Sequence, residues 1–467
     1  MKLAICVLAG WIFATPALAI SFDEARHLLA RTGFGVPTPA EIDEILPLSY
    51  GQAVTHILKN IHKTPLTPVP DFTAHPGERS KVKKMGPEAR RSYQKRVNND
   101  RRELKQWWVT EMMVTPSPLT EHMTLFWHNH FVSEGRKVKF GQLIYDQNAI
   151  FRRHALGSFA DMFREVSTGA AMLIYLDGSK NKVGKPNENF AREVLELFTL
   201  GEGKGYTEKD IREAARAFTG WAVDRKTGET VFYSKRHDQG RKTILGETGR
   251  FDGEDVLEII LRQDRVAEYI AEKLWREFVS QDLDPVEIKR LAAIFQKAKY
   301  RLKPLMRAIL MSPKFRDPAI RGGLIKSPVD LVIGTLRLLR AHETPSIKIY
   351  YQHKRLGQDL FDPPDVKGWR GGVNWITSTT TLRRIDFLKM AHRATVVFGQ
   401  TLDGGETMLK SQFGLANPSE LIGREVMKKG YLKRLMLAVD PAFARSTKGR
   451  GHKLIRNLLL DPAYNLK

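Results

Sequence analysis

The stretch from Pro186 to Gly201 constrains the chain most, because it admits one regular structure, a helix with two unlike flanks. Phe190, Val194, Leu197 and Phe198 recur at i, i+4, i+7 and i+8, the spacing of one helical face. Asn189, Arg192, Glu193 and Glu196 recur at i, i+3, i+4 and i+7 on another side. Pro186 and Asn187 suit a helix start, and Gly201 readily takes the left-handed conformation that follows a helix end. Such a helix gains most of its stability by packing its apolar flank, so the rest of the chain has to supply a core around it.

The same period runs through most of the sequence. It predicts helices over Ser21 to Ala30, with Ser21 and Glu24 in capping-box spacing, and over Pro39 to Ile45, Gln52 to Ile61, and Pro118 to His130. Phe151 to Val166 reads as one further amphipathic helix, and Thr207 with Asp210 opens another. From Ala222 to Gly246 the period changes: Thr230 to Tyr233 and Lys242 to Leu245 are strand-like and flank His237 and Asp238, a hairpin-like excursion. Helices resume over Gly253 to Gln263, Arg265 to Val279, Pro285 to Lys297, Leu302 to Met311, Pro328 to His342 and Leu382 to Phe398. The expected fold class is therefore all-α, a large multi-helix orthogonal assembly with a small β-hairpin excursion around residues 222–246. Its expected parts are a helical domain over 20–390 and a basic helical extension over 391–467 packed on it. Within the domain, residues 62–78 form a Pro-rich loop and 79–114 a basic amphipathic helix.

Residues 1–19 have the pattern of a secretory signal peptide: a basic Met1-Lys2, an apolar run from Leu3 to Phe13, and the small-residue site Ala17-Leu18-Ala19. Cleavage after Ala19 places the mature chain in the periplasm or outside the cell. It also removes Cys6, the single cysteine, and with it disulfides, thiolate metal sites and a cysteine nucleophile. No later stretch reaches the roughly 20 apolar residues of a membrane helix. The formal net charge of +23 falls by one with Lys2, and a basic exported protein tends to meet anions such as lipid headgroups or acidic polysaccharides. Between Arg79 and Lys105 eleven Lys or Arg stand against three Asp or Glu, with Tyr93, Val97, Leu104 and Trp108 at helical spacing. No aromatic residue interleaves the densest basic part before Tyr93, which argues against a stacking platform for nucleic acid.

Two sets of residues carry chemistry. His128, His130, His237 and Asp238 are candidate ligands for a divalent metal ion, and Glu188, Glu193 and Glu196 are candidate catalytic carboxylates beside it. On a continuous helix His128 and His130 diverge by about 200° and cannot share an ion unless the helix ends near His128. The polar stripe has a structural alternative, in which Arg192 pairs with Glu196 at i+4 and the face locks against another helix. Asn187, Asn189 and Arg192 are candidate binding residues, as are Trp221, Trp369 and Trp375, whose flat faces can stack on sugars or fill the core. No nucleophile elbow, phosphate loop or zinc-protease helix occurs.

Several motifs appear in a familiar order: His27 through Gly35, Phe126-Trp127-His128-Asn129-His130-Phe131, Pro186 through Gly201, Tyr206 through Trp221, His237-Asp238 with Leu245-Gly246, and Pro363 through Trp369. Over roughly residues 21 to 390 the chain resembles the bacterial family named domain of unknown function 1800. The resemblance implies an exported, mostly helical protein, often encoded beside a second exported protein that resembles sulfatases, and it brings no reaction. The expected function is a non-catalytic binding or assembly protein of the cell envelope, engaging an anionic component or that neighbour. The alternative is a metal-assisted hydrolase with a His/Glu/Asp site.

Overall fold

The structure, a computed structural model, describes residues 18–75, 78–82, 84–224, 226–340, 346–404 and 429–467. Residues 1–17 of the expected leader lie outside the described residues. The described chain is mostly helical, with two small two-stranded antiparallel sheets. None of its described helices is long and apolar enough to cross a membrane.

Local signals start the helices. Ser21, Thr38, Ser49, Thr207, Asp252 and Ser327 each accept from the backbone N–H three residues on, and the acid or amide at that position answers the cap's own N–H. These reciprocal bonds satisfy donors that a helix start leaves free. The basic helix is shorter than the expected 79–114: Arg79–Val82 is a separate short helix, Pro87 restarts the chain after Gly86, and the long helix Pro87–Val114 buries Tyr93, Val97, Leu104 and Trp108 as its spacing requires. Helix Pro118–His130 follows after a short turn.

Two further expectations change. The segment 151–166 is two helices, Gly141–Arg153 and Phe159–Ser167, separated at His154–Ser158. Ser158 caps the second, accepting from the Asp161 N–H at 3.1 Å. Phe151, Phe159 and Phe163 nonetheless meet Phe131 in one aromatic cluster, so apolar spacing continues through the break. The two strand-like segments of the β excursion do not pair with each other. Thr230–Phe232 pairs with Trp221–Val223, and Lys242–Ile244 pairs with Glu247–Gly249. The second hairpin closes through Leu245 and Gly246, both at positive φ (48° and 85°), the geometry of a tight two-residue turn. Asp210 accepts from the Leu245 N–H at 2.7 Å and holds the non-glycine residue there.

A single contiguous core joins the whole described chain, from Ile20 through Trp127, Phe131 and Trp275 to Leu458 and Tyr464. Helix Ser378–Gly404 runs through position 390 without a break. At the chain's far end, Leu324 and Lys467 exchange backbone hydrogen bonds at 2.8 and 3.4 Å.

Helix ends inside this core need partners for their last carbonyls, and cationic side chains supply them. Arg31, fully buried, donates to the Phe278 and Val279 carbonyls at 3.1 Å each and to Ile320 at 2.8 Å. Burial lowers its pKa to about 9, which leaves it charged at neutral pH. Arg337 donates to the carbonyls of Met112, Met113 and Thr115 where the basic helix ends. Replacing Arg31 by Met keeps the volume and strands three buried acceptors, so urea denaturation is expected to show a loss of about 3 kcal/mol. A loss within the error of the measurement would mean that water takes over those carbonyls.

Candidate functional site

The central helix spans Glu188–Leu195 and continues as a π-turn over Glu196–Leu200. Its start is tied down by its asparagines. Asn187 accepts from the Asn189 N–H at 3.1 Å and donates to the Asp177 carbonyl at 3.2 Å, and Asn189 donates to Leu176 at 3.2 Å. Its end is held from outside: Tyr269 donates to the Leu197 carbonyl at 3.1 Å, His130 Nε2 to Phe198 at 3.0 Å, and Arg265 to Leu200 at 2.9 Å.

The polar stripe is a half-exposed ion-pair clamp. Arg192 reaches Glu188 at 3.4 Å, Glu196 at 3.2 Å and Glu208 of the next helix at 2.8 Å. The hydrogen bonds that Arg192 donates to Glu208 raise its pKa above the ordinary value. Glu193 stands apart, with no hydrogen bond or ion pair to its carboxyl among the described residues. Burial, reinforced by Glu196 and opposed by Arg192 and Lys367, pushes its pKa up to about 7.

The four candidate metal ligands do not converge. His128 lies buried against Trp108, Phe151 and Phe361, and its Nε2 accepts from Asn148 at 3.0 Å. Burial holds its pKa well below the ordinary value, with Arg152 adding to the effect. His130 points elsewhere, to the π-turn. His237 Nδ1 meets the Thr219 carbonyl at 3.0 Å, and Asp238 pairs with Arg216 at 2.8 Å. Among the described residues no three His, Cys, Asp or Glu side chains are placed to hold one ion. Trp221 packs on Phe232, away from Trp369 and Trp375.

His130, Trp369 and Trp375 do come together, in a cavity of about 290 Å³ between helix Pro118–His130, helix Asp264–Phe278 and the loop Lys367–Trp375. The loop is seated by Asn129, which donates to the Trp369 carbonyl at 3.1 Å and accepts the Trp369 N–H at 2.6 Å. Gly368, at φ +79°, lies so close that a Cβ there would stand 2.2 Å from Asn129 Oδ1. Trp369 is 5% exposed, yet its Nε1–H has no hydrogen-bond partner among the described residues. His130 has given its Nε2–H to Phe198, which leaves Nδ1 as a bare acceptor, also without a partner and buried. Lys273, Arg276 and Arg370 line the same cavity, and none has an ion pair among the described residues. Burial, with Arg276 adding to it, lowers the Lys273 pKa to about 8.

The cavity's own carboxylates are taken. Asp330 pairs with Lys467 at 2.7 Å, and Glu277 accepts from His122 at 2.8 Å. Burial alone would raise the Glu277 pKa, but the His122 bond together with Lys467 and Arg31 holds it at about 2. Lys367 at the rim pairs with Glu202 at 2.9 Å. The site therefore offers positive charge that no carboxylate of the described residues pairs, with Lys273 Nζ 5.5 Å from the Tyr269 ring centroid, and one N–H donor and one acceptor between aromatic walls.

Sequence reasoning named His130, Trp369 and Trp375 but not Asn129, Lys273, Arg276 or Arg370. A faint signal existed for two of them: Arg370 directly follows Gly368-Trp369, and Asn129 sits between two singled-out histidines. Lys273 and Arg276 are ordinary i, i+3 cations of an amphipathic helix until the loop is folded over them.

Fold and site define a mostly helical protein with a basic, tryptophan-walled cavity. The family model described as "Protein of unknown function (DUF1800)" matches residues 27–466, and the chain belongs to that family. No curated protein and no solved structure matches it.

Two outcomes are expected from these contacts. Gly368→Ala should cost about 2 kcal/mol or more in chemical denaturation, because the loop has to leave Asn129. Glu193→Gln tests the raised carboxyl. Its folded pKa lies above the unfolded value, so the penalty for ionising it is absent at low pH, grows between about pH 4.5 and 7, and is complete above. The variant should be more stable than the parent by on the order of 1 kcal/mol near pH 8, after solvent screening, and by less near pH 5. Equal effects at both pH values would refute the shift.

Proposed function

We propose that this protein is an exported binding protein whose cavity takes a small hydroxylated anion, or the anionic end of an envelope component. The observation that carries the reading is the set of unengaged groups around one space: Lys273, Arg276 and Arg370 without ion pairs, and the buried Trp369 Nε1–H and His130 Nδ1 without hydrogen bonds. Buried polar atoms are normally satisfied, and a ligand that supplies an acceptor to Trp369 and a hydroxyl to His130 satisfies both. The anionic group then meets the three cations, and no free carboxylate of the cavity opposes it. The leader pattern of residues 1–19 supports export. A small ligand buried between Trp369 and Trp375 also fits binding without turnover, since the Glu188, Glu193 and Glu196 carboxyls belong to the stripe rather than to the cavity lining.

Titration calorimetry with glycerol phosphate tests this reading. Binding is expected for the parent, with at least tenfold loss in Arg276→Gln/Arg370→Gln and a steep fall with added salt. Because the Lys273 pKa is about 8, its charge is present below that pH and lost above it. Affinity should therefore drop between about pH 7 and 9 in the parent, and the drop should flatten in Lys273→Gln. No binding, or binding indifferent to the double variant, overturns the proposal.

A further inference from the structure

The loop that closes the cavity carries a second kind of surface. Val373 is 75% exposed, Ile376 40% and Leu382 65%, although all three are large and apolar. Val373 lies on the short turn Gly372–Trp375, whose Trp375 is a wall of the cavity, and Ile376 directly follows it. Leu382 follows one turn into helix Ser378–Gly404, whose start is fixed to that wall by Thr380 Oγ1 donating to the Trp375 carbonyl at 2.9 Å. Arg276 and Arg370 at the cavity are exposed and without ion pairs among the described residues, and the exposed Arg383 beside Leu382 donates to the Arg355 carbonyl at 2.6 Å. Exposed apolar side chains are unremarkable singly, but here they rim a cationic cavity.

We infer that this rim docks the protein on an anionic phospholipid surface, with one headgroup phosphate entering the cavity and Val373, Ile376 and Leu382 entering the interfacial layer. Charge complementarity decides the occupant. An apolar partner protein would leave Arg276 and Arg370 unanswered, whereas a bilayer interface presents phosphates at the depth of the cations and acyl chains below them. A glycerol headgroup also brings the hydroxyl that His130 Nδ1 lacks and the phosphate oxygen that Trp369 Nε1–H lacks. The inference rests on the cavity being an anion site as proposed above, and adds the source of the anion.

The test is sedimentation with vesicles of phosphatidylcholine alone and of phosphatidylcholine mixed with phosphatidylglycerol. The parent should sediment with the mixed vesicles only. Val373→Ser/Leu382→Ser keeps net charge unchanged and alters only exposed side chains; it should bind mixed vesicles at least tenfold more weakly while its affinity for glycerol phosphate stays that of the parent. Arg276→Gln/Arg370→Gln should lose both. If glycerol phosphate binds but the parent ignores mixed vesicles, the lipid inference fails and the cavity reading stands. If the serine variant sediments as well as the parent, net charge alone holds the protein to vesicles and the inference is overturned. If vesicles bind but glycerol phosphate does not, both readings fail.

Discussion

Cationic side chains bound to helix-end carbonyls are the interaction on which this architecture depends. A chain built almost wholly of helices ends each one with acceptors that no sheet can satisfy, and inside a core water does not reach them. Here Arg31, Arg337, Arg265 and Lys326 answer such carbonyls across long sequence separations. Lys242 does the same for three carbonyls of the β excursion, those of Asp238, Gly240 and Phe251. Each such bond is charge-assisted and contributes about 1.5 to 3 kcal/mol, more than an apolar contact of similar size. Apart from the local bonds of Lys242, the partners lie far apart in the sequence, so they fix which helix ends meet.

The candidate site follows from the same rule. The π-turn at the end of the central helix frees carbonyls that Tyr269, His130 and Arg265 bind; Tyr269 and Arg265 tie the π-turn to helix Asp264–Phe278, and His130 ties it to helix Pro118–His130. His130 is thereby locked in one tautomer, with Nδ1 left as the acceptor. One residue earlier, Asn129 clamps the Trp369 backbone and closes the cavity from the other side. Four consecutive side chains of one helix end, Trp127 to His130, thus serve core, core, loop and cavity in turn.

Much of the fold was legible in the sequence because its causes are local. Ser21 with Glu24 and Thr207 with Asp210 announce helix starts by chemistry that acts within one turn. The break at His154–Ser158 was not legible, because Phe151, Phe159 and Phe163 keep a helical apolar spacing while the backbone between them does not. The strand pairing was missed for the same reason in reverse: Thr230–Phe232 is a good strand, and nothing within it says that Trp221–Val223 is its partner. The polar stripe was readable as an ion-pair clamp from spacing alone, and Arg192 does reach Glu196. The cavity was only half readable. Trp369, Trp375 and His130 stand out by residue type, whereas Lys273, Arg276 and Arg370 vanish among 75 lysines and arginines until tertiary contacts show which of them lack partners.

The pairing of Glu277 with His122 has a consequence for where such a cavity can work. A carboxylate held at about 2 keeps its proton off in media acid enough to neutralise ordinary surface carboxylates. While the outer face of the molecule drifts further positive on acidification, the floor of the cavity holds a fixed electrostatic sign. The charge of this one carboxylate is set by the fold and not by the acidity of the compartment outside it.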